Sequence, residues 1–286
     1  PVVVLRSLYV AASALILFIQ QVSPLRSRFL AYGSRATHQA PDEPRQPSEK
    51  RPAPSWSLAP LLDYLAGLRV PHSYFAHFYL TSVACSIFWG YWLWPTLTSE
   101  SGEKVRAVWL LMLLQGSRRL WESYRYSTKS KSQMWIGHYF LGLLFYLAVN
   151  VAIWIEIADE QPDAWYTYKL VAFIIPCYYA HGIQHVCHSY LFRLRTENEG
   201  PTYKLPSDHI FSSLICPHYT MEVLIYVCMS LLGAPTGRYI NWTLAAAALF
   251  VAVNLGVTAS GTKAWYVEQF GEEKIRGRRV MIPGIW

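Results

Sequence analysis

Seven predominantly apolar stretches constrain this chain more than any other feature, because a helix needs roughly 20 such residues to cross a bilayer. They cover residues 2–20, 78–97, 107–121, 136–157, 169–191, 221–235 and 241–259. The third and sixth are short and need protein neighbours or a thin local bilayer. The 286-residue chain is therefore expected to be all-α and polytopic, with about seven transmembrane helices in one membrane-embedded domain over 1–286. It is 53% hydrophobic and only 15% charged, whereas a soluble chain carries about 25% charge. That excludes a disordered tail, a collagen-like chain and a small disulfide scaffold. No internal repeat is present.

Charge distribution sets the orientation. Seven spans put the loops 21–77, 118–135 and 192–220 and the tail 260–286 on one side, with 20 of the 25 Lys and Arg. The other side keeps Arg6, Lys104, Arg106, Lys169 and Arg238. The positive-inside rule then predicts a cytosolic C-terminus and a lumenal N-terminus. The net charge of +7 is read as topology rather than nucleic-acid binding, since no zinc-finger or RNA-binding signature accompanies it. In the long cytosolic loop 21–77, the Pro-rich stretch 40–60 is expected to be exposed and non-helical. Pro206 and Pro217 break the region after the fifth span into loop and short helix. Arg6 interrupts the first apolar stretch and no small-residue cleavage site follows, so 2–20 reads as a span rather than a signal peptide. Because the chain starts at Pro1, a native segment is expected before it. The sequon Asn241-Trp242-Thr243 would face the lumen, too close to the membrane for glycosylation. Cys85, Cys177, Cys187, Cys216 and Cys228 read as free thiols, mostly buried.

Several polar constellations interrupt the apolar pattern. His181, His185 and His188 lie on one helical face; a metal site, a polar pocket and an ordinary helix end all remain open readings. A membrane di-iron hydroxylase needs about eight histidines in several clusters, and the chain has nine in all. Arg118 and Arg119 in Gln115-Gly-Ser-Arg-Arg-Leu-Trp-Glu122 are either snorkelling anchors or an anion site. Arg193 and Arg195 close the fifth span on the same predicted face, followed by Lys204. With no GxGxxG and no GxxxxGK[ST], a nucleotide must be held by helices and side chains. Tyr74-Phe-Ala-His77-Phe-Tyr79 is an interfacial belt or a donor to a substrate oxygen. Glu222 complements a helix dipole or is a functional carboxylate at membrane depth. Trp265-Tyr266 and the basic tail form a membrane-surface patch or part of a pocket.

Taken in order, these segments resemble the steroid 5α-reductase family, and within it the polyprenol (polyprenal) reductase branch. The resemblance runs from Tyr32-Gly33-Ser34 to the C-terminus. Its specific pieces are Tyr74-Phe-Ala-His77-Phe-Tyr79, Ser117-Arg118-Arg119-Leu-Trp-Glu122, Gln184 through His188 to Arg195, Tyr203-Lys204-Leu-Pro206, Pro217-His218-Tyr219-Thr-Met-Glu222, Trp265-Tyr266 with Phe270, and the Arg-Arg-x-x-Ile-Pro ending. It implies an endoplasmic reticulum enzyme whose cytosolic loops cap a cofactor cavity, with NADPH held by the half 169–286. The implied reaction reduces the double bond nearest the oxygen of a long-chain isoprenoid, on the route to dolichol and protein N-glycosylation. By the same resemblance, Gln184, His188 and Arg195 match a cofactor-contacting face of the fifth helix. Lys204, His218, Glu222 and Tyr266 match further cofactor-pocket positions, and Arg119 matches an arginine beside nicotinamide and substrate. No metal, nucleic acid or obligate protein partner is implied.

Three departures stand out. Gly116 replaces a tyrosine of the steroid reductases one turn before Arg119, so their clamp on the ketone is not intact; Tyr74 and His77 are the replacement candidates. Lys263 replaces a histidine, and Gly284 replaces a phenylalanine after the final proline. Hydride chemistry adds a constraint on the substrate: a nicotinamide hydride needs an electrophilic carbon, and an isolated allylic alcohol offers none. The expected direct substrate is therefore the conjugated aldehyde, polyprenal. The competing classes are a steroid reductase, a di-iron hydroxylase, an isoprenylcysteine methyltransferase and a non-catalytic scaffold.

Overall fold

Apolar runs that leave the backbone no water to bond must satisfy their own N–H and C=O groups, and this chain does so with helices. A computed structural model describes residues 1–30, 58–126, 132–158, 166–197 and 203–282. Their elements run α1 (Val2–Gln21), α2 (Ser23–Phe29), α3 (Ala59–Gly67), β1 (Arg69–Pro71), α4 (Phe75–Trp92), α5 (Trp94–Thr98), α6 (Glu103–Arg125), β2 (Gln133–Trp135), α7 (Ile136–Ala152), α8 (Tyr166–Thr196), α9 (Pro217–Leu232), α10 (Trp242–Phe270) and α11 (Glu272–Ile275). Each of the seven apolar stretches lies mainly on a different helix, α1, α4, α6, α7, α8, α9 and α10, and the second breaks at Leu93 and continues into the short α5. Of these, α1, α8 and α10 are long and apolar enough by themselves to cross a membrane. The expected segments 32–34, 40–57 and 283–286 lie outside the described residues.

Two groups of helices make the body. One is α4 against α6 and α7; the other is α8 on α9, α9 on α10 and α10 on α1. Contacts of α9 with α6 and of α10 with α7 join them. The shared core includes Met112, Val149, Cys177, Ile225, Met229 and Leu244, all without exposed surface. The five cysteines are free, and all but Cys85 are buried.

Local signals explain the helix ends. Pro24, Pro60, Pro95 and Pro217 sit in first turns, where a missing N–H costs nothing. Pro60 thus corrects the expectation of a non-helical stretch running to residue 60. Asn241 caps α10: its Oδ1 accepts from the Thr243 and Leu244 N–H groups at 3.1 and 3.0 Å, and its Nδ2 donates to the Gly233 carbonyl at 2.9 Å. Gly271, with φ of 87°, ends the same helix in a conformation few other residues tolerate. Arg6, the charge inside the first apolar stretch, is compensated. Its Nη2 donates to Glu156 Oε2 at 2.7 Å and its Nε to Thr243 Oγ1 at 3.1 Å, tying α1 to the exit of α7 and the start of α10.

The opposite end, where most basic residues lie, has two ties the sequence does not announce. Strands β1 and β2 pair antiparallel, with Arg69 opposite Trp135, and fasten the mouth of α4 to that of α7. The tail folds back over α9 and α10. The Ile215 N–H donates to the Arg279 carbonyl at 2.8 Å, and Arg278 Nη1 donates to the Pro206 and Phe211 carbonyls at 2.6 and 3.2 Å. Lys263 Nζ donates to the Arg278 carbonyl at 2.8 Å and so anchors this fold-back. Beneath it Ile215, Cys216, Ala259, Ile275, Val280 and Met281 form a second small core.

Candidate active site

Helices α6, α8 and α9 converge at the basic end on one polar network. Arg118, Arg119 and Glu122 share a face of α6 because positions three and four apart are helical neighbours. Arg118 Nη1 donates to Glu122 Oε1 at 2.7 Å, and Arg119 Nη1 donates to Oε2 at 2.5 Å. From α8, the Nδ1 atoms of His185 and His188 each lie 2.8 Å from a Glu122 oxygen. Glu122 is only 1% exposed. A carboxylate removed from water needs this many donors, and charge-assisted bonds are the strong kind.

Two glutamines extend the network to α9. Arg118 Nη2 donates to Gln115 Oε1 at 2.7 Å and also to Gln184 Oε1. Gln115 Nε2 then donates to Glu222 Oε1 at 2.8 Å, while Gln184 Nε2 donates to Glu222 Oε2 and to the His218 carbonyl at 3.2 Å. Each amide thus bridges a guanidinium to a carboxylate, which fixes its orientation. On the other side of Arg119, Nη2 donates to the Tyr79 hydroxyl of α4 at 2.7 Å.

Several buried polar atoms remain unpaired. The Nε groups of Arg118 and Arg119 and Nδ1 of His218 are buried with no hydrogen-bond partner among the described residues. His218 packs edge-on against His188, with ring centroids 5.4 Å apart, and against Tyr219 at 4.3 Å. Such a donor-rich set fits an anionic, hydrogen-bond-accepting group, and a dinucleotide phosphate or carboxamide has that chemistry.

The structure brings together five of the sequence-predicted residues: Arg119, Gln184, His188, His218 and Glu222. Arg195 extends α8 two turns beyond His188 and is exposed; its charge acts on both His72 and Tyr266. Burial first, and then Arg195, hold the His72 imidazole below its usual range. Tyr266 packs into the second small core. Lys204 is exposed beside Tyr203, whose ring meets Trp265 edge-on at 4.9 Å. Tyr74 and His77 form a separate aromatic group at the mouth of α4: their rings lie 4.6 Å apart, and His77 Nδ1 is 3.0 Å from the Tyr139 hydroxyl. Sequence reasoning gave Glu122 and Gln115 no role, whereas Arg118 was half of a candidate anion site and Tyr79 closed the segment offered as a donor to a substrate oxygen. The spacing of Glu122 from the two arginines was the available signal.

The three imidazoles of the histidine face have different surroundings. His185 and His188 address Glu122, whereas both nitrogens of buried His181 lack partners. No group of three or more His, Cys, Asp or Glu among the described residues is placed to hold a metal ion. A groove of about 390 Å³ lies between α6 and α8 near Arg106 and Tyr178. At 1.5 Å per residue it is roughly 18 Å along α6 from Arg119, so it is not part of this network.

The family model described as 3-oxo-5-alpha-steroid 4-dehydrogenase matches residues 132–286, which include α7 to α11 and the fold-back tail. The polyprenal reductase of Saccharomyces cerevisiae is 28% identical over 230 residues, covering 79% of each chain. Polyprenal reductase 2 of Oryza sativa subsp. indica is 26% identical and covers 76% of this chain and 80% of its own. The polyprenal reductase of Drosophila melanogaster is 26% identical and covers 77% of both.

Proposed function

Given that the chain belongs to the 3-oxo-5-alpha-steroid 4-dehydrogenase family, we propose that it reduces the α-isoprene double bond of polyprenal, using NADPH, in dolichol synthesis. The relatives that cover about three quarters of the chain carry the name polyprenal reductase. The observation that carries the reading is the buried network of Arg118, Arg119 and Glu122 with its unspent guanidinium donors, facing two glutamines and two histidines. When bound, a reduced nicotinamide supplies a hydride to a conjugated carbon.

The chain's own residues do the rest. Gln184, His188, His218 and Glu222 orient the nicotinamide end, while Arg195 and Lys204, both exposed, meet the phosphates, and Tyr266 closes the adenine side. Arg119 lies where cofactor and substrate meet. Tyr74 and His77, at the mouth of α4, guide the isoprenoid in from the lipid. Water exclusion follows from position, since α6, α8 and α9 enclose the network and low dielectric strengthens each donor. All seven long helices cross the endoplasmic reticulum membrane in this reading, with the basic end cytosolic and the N-terminus lumenal.

The test is direct. Purified protein in detergent, given well-dispersed polyprenal and NADPH, is expected to consume the cofactor and release dolichal, identified by mass spectrometry. Folded protein that turns over no conjugated aldehyde refutes the assignment.

A further inference from the structure

We propose that Tyr79 is the catalytic hydroxyl that holds the carbonyl oxygen of the conjugated aldehyde, an inference that rests on the function proposed above. Tyr79 is 7% exposed. Its oxygen accepts from Arg119 Nη2 at 2.7 Å, and the guanidinium carbon sits 4.8 Å from the ring centroid. The ring is also wedged edge-on against Tyr146, with centroids 5.6 Å apart. The phenol is therefore fixed on both sides. Its own proton has no acceptor among the described residues, although buried hydroxyls ordinarily use theirs.

A second observation points the same way. One turn along α4, the Ser82 hydroxyl is fully buried and without a partner among the described residues. It faces Gly116: a Cβ added there would lie 2.7 Å from Ser82 Oγ. Any side chain at 116 would have to displace the Ser82 and Val83 side chains of α4, and with glycine there α6 supplies no hydroxyl at this position. The neighbouring helix presents two instead, at successive turns of the same seam. Tyr74, by contrast, is 37% exposed and lies against His77.

The chemistry matches a neutral oxygen acceptor. A hydrogen bond into the Tyr79 oxygen from a cation polarises its O–H and makes it a stronger donor. An aldehyde oxygen accepts that bond in the ground state. It accepts more strongly as electron density shifts from the double bond toward the oxygen during reduction. A donor of this kind in a water-poor site is worth about 10²–10³ in rate.

The experiment compares wild type with Tyr79→Phe. Turnover of polyprenal should fall about 10²–10³-fold, with the thermal stabilisation by NADPH unchanged. In protein without cofactor, the infrared carbonyl stretch of bound polyprenal should lie at lower wavenumber in wild type than in the variant. A variant within about threefold of wild-type turnover, or an identical carbonyl stretch, overturns the role of Tyr79 alone. A wild type inert toward conjugated aldehydes overturns the functional reading with it. Should Tyr79→Phe not fold, a fluorotyrosine at 79 keeps the ring and makes the hydroxyl more acidic; the alkaline limb of turnover must then move to lower pH. An unmoved limb rejects the proposal.

Discussion

Replacing Glu122 by glutamine is the sharpest perturbation of this protein. The carboxylate is 1% exposed, accepts from Arg118 and Arg119 at 2.7 and 2.5 Å, and lies 2.8 Å from Nδ1 of both His185 and His188. Glu122→Gln keeps the shape but removes the charge that two neighbouring guanidinium groups share. Its amide oxygen still serves one guanidinium, while its NH₂ faces the other. Removing one partner of a buried ion pair costs about 3–5 kcal/mol, and the retained oxygen places this variant near ~3 kcal/mol. A chain of this size loses roughly 2–4 °C of melting temperature per kcal/mol, so the fall should be about 6–12 °C. Glu222 provides the control, because its oxygens face the neutral amides of Gln115 and Gln184. There Glu222→Gln leaves one amide donor unmatched, a loss of about 1 kcal/mol. Thermal melts in detergent without cofactor measure both. A drop under about 2 °C for Glu122→Gln, or the reverse ranking, would falsify the view that Glu122 neutralises the arginine pair.

Two further outcomes follow from the residues around the network. Arg195→Ala should raise the NADPH KM by far more than it changes the preference between isoprenoid substrates, and steady-state kinetics with both varied will show it; an unchanged KM removes Arg195 from the pocket. His72 has its imidazole pKa lowered by burial and then by Arg195, so the folded state favours the neutral ring. Its contribution to stability is whole above the unfolded value of about 6.5 and is lost as pH falls below it. Melting temperatures between about pH 7 and 5 should therefore decline less steeply in His72→Gln than in wild type, and parallel curves would exclude the effect.

The sequence made the helical body legible because a bilayer imposes a length and a polarity on each span. The apolar stretches themselves stop short of the helix ends, where those constraints lapse. Helix α10 runs to Phe270 rather than 259 and α8 to Thr196 rather than 191, since backbone hydrogen bonding continues past the point where residues turn polar. The α9 helix opens at Pro217 rather than 221, because a proline is at ease in a first turn. Arg119, Gln184, His188, His218 and Glu222 could be picked out as polar residues on apolar helices. Their partners were harder. Glu122 was within reach of the three- and four-residue rule, but Tyr79 meets Arg119 only through the way α4 and α6 pack, and no spacing along the chain encodes that. Strands β1 and β2 are three residues each and far apart in sequence, so neither carries a strand signal of its own.

Asn241 has no exposed surface, and both ends of its amide are engaged in starting α10. A transferase cannot reach it in the folded protein, on whichever side of the membrane it lies. Absence of a sugar there therefore carries no information about sidedness. Mapping the topology by glycan tagging requires an acceptor introduced elsewhere, in a segment that projects clear of the headgroups.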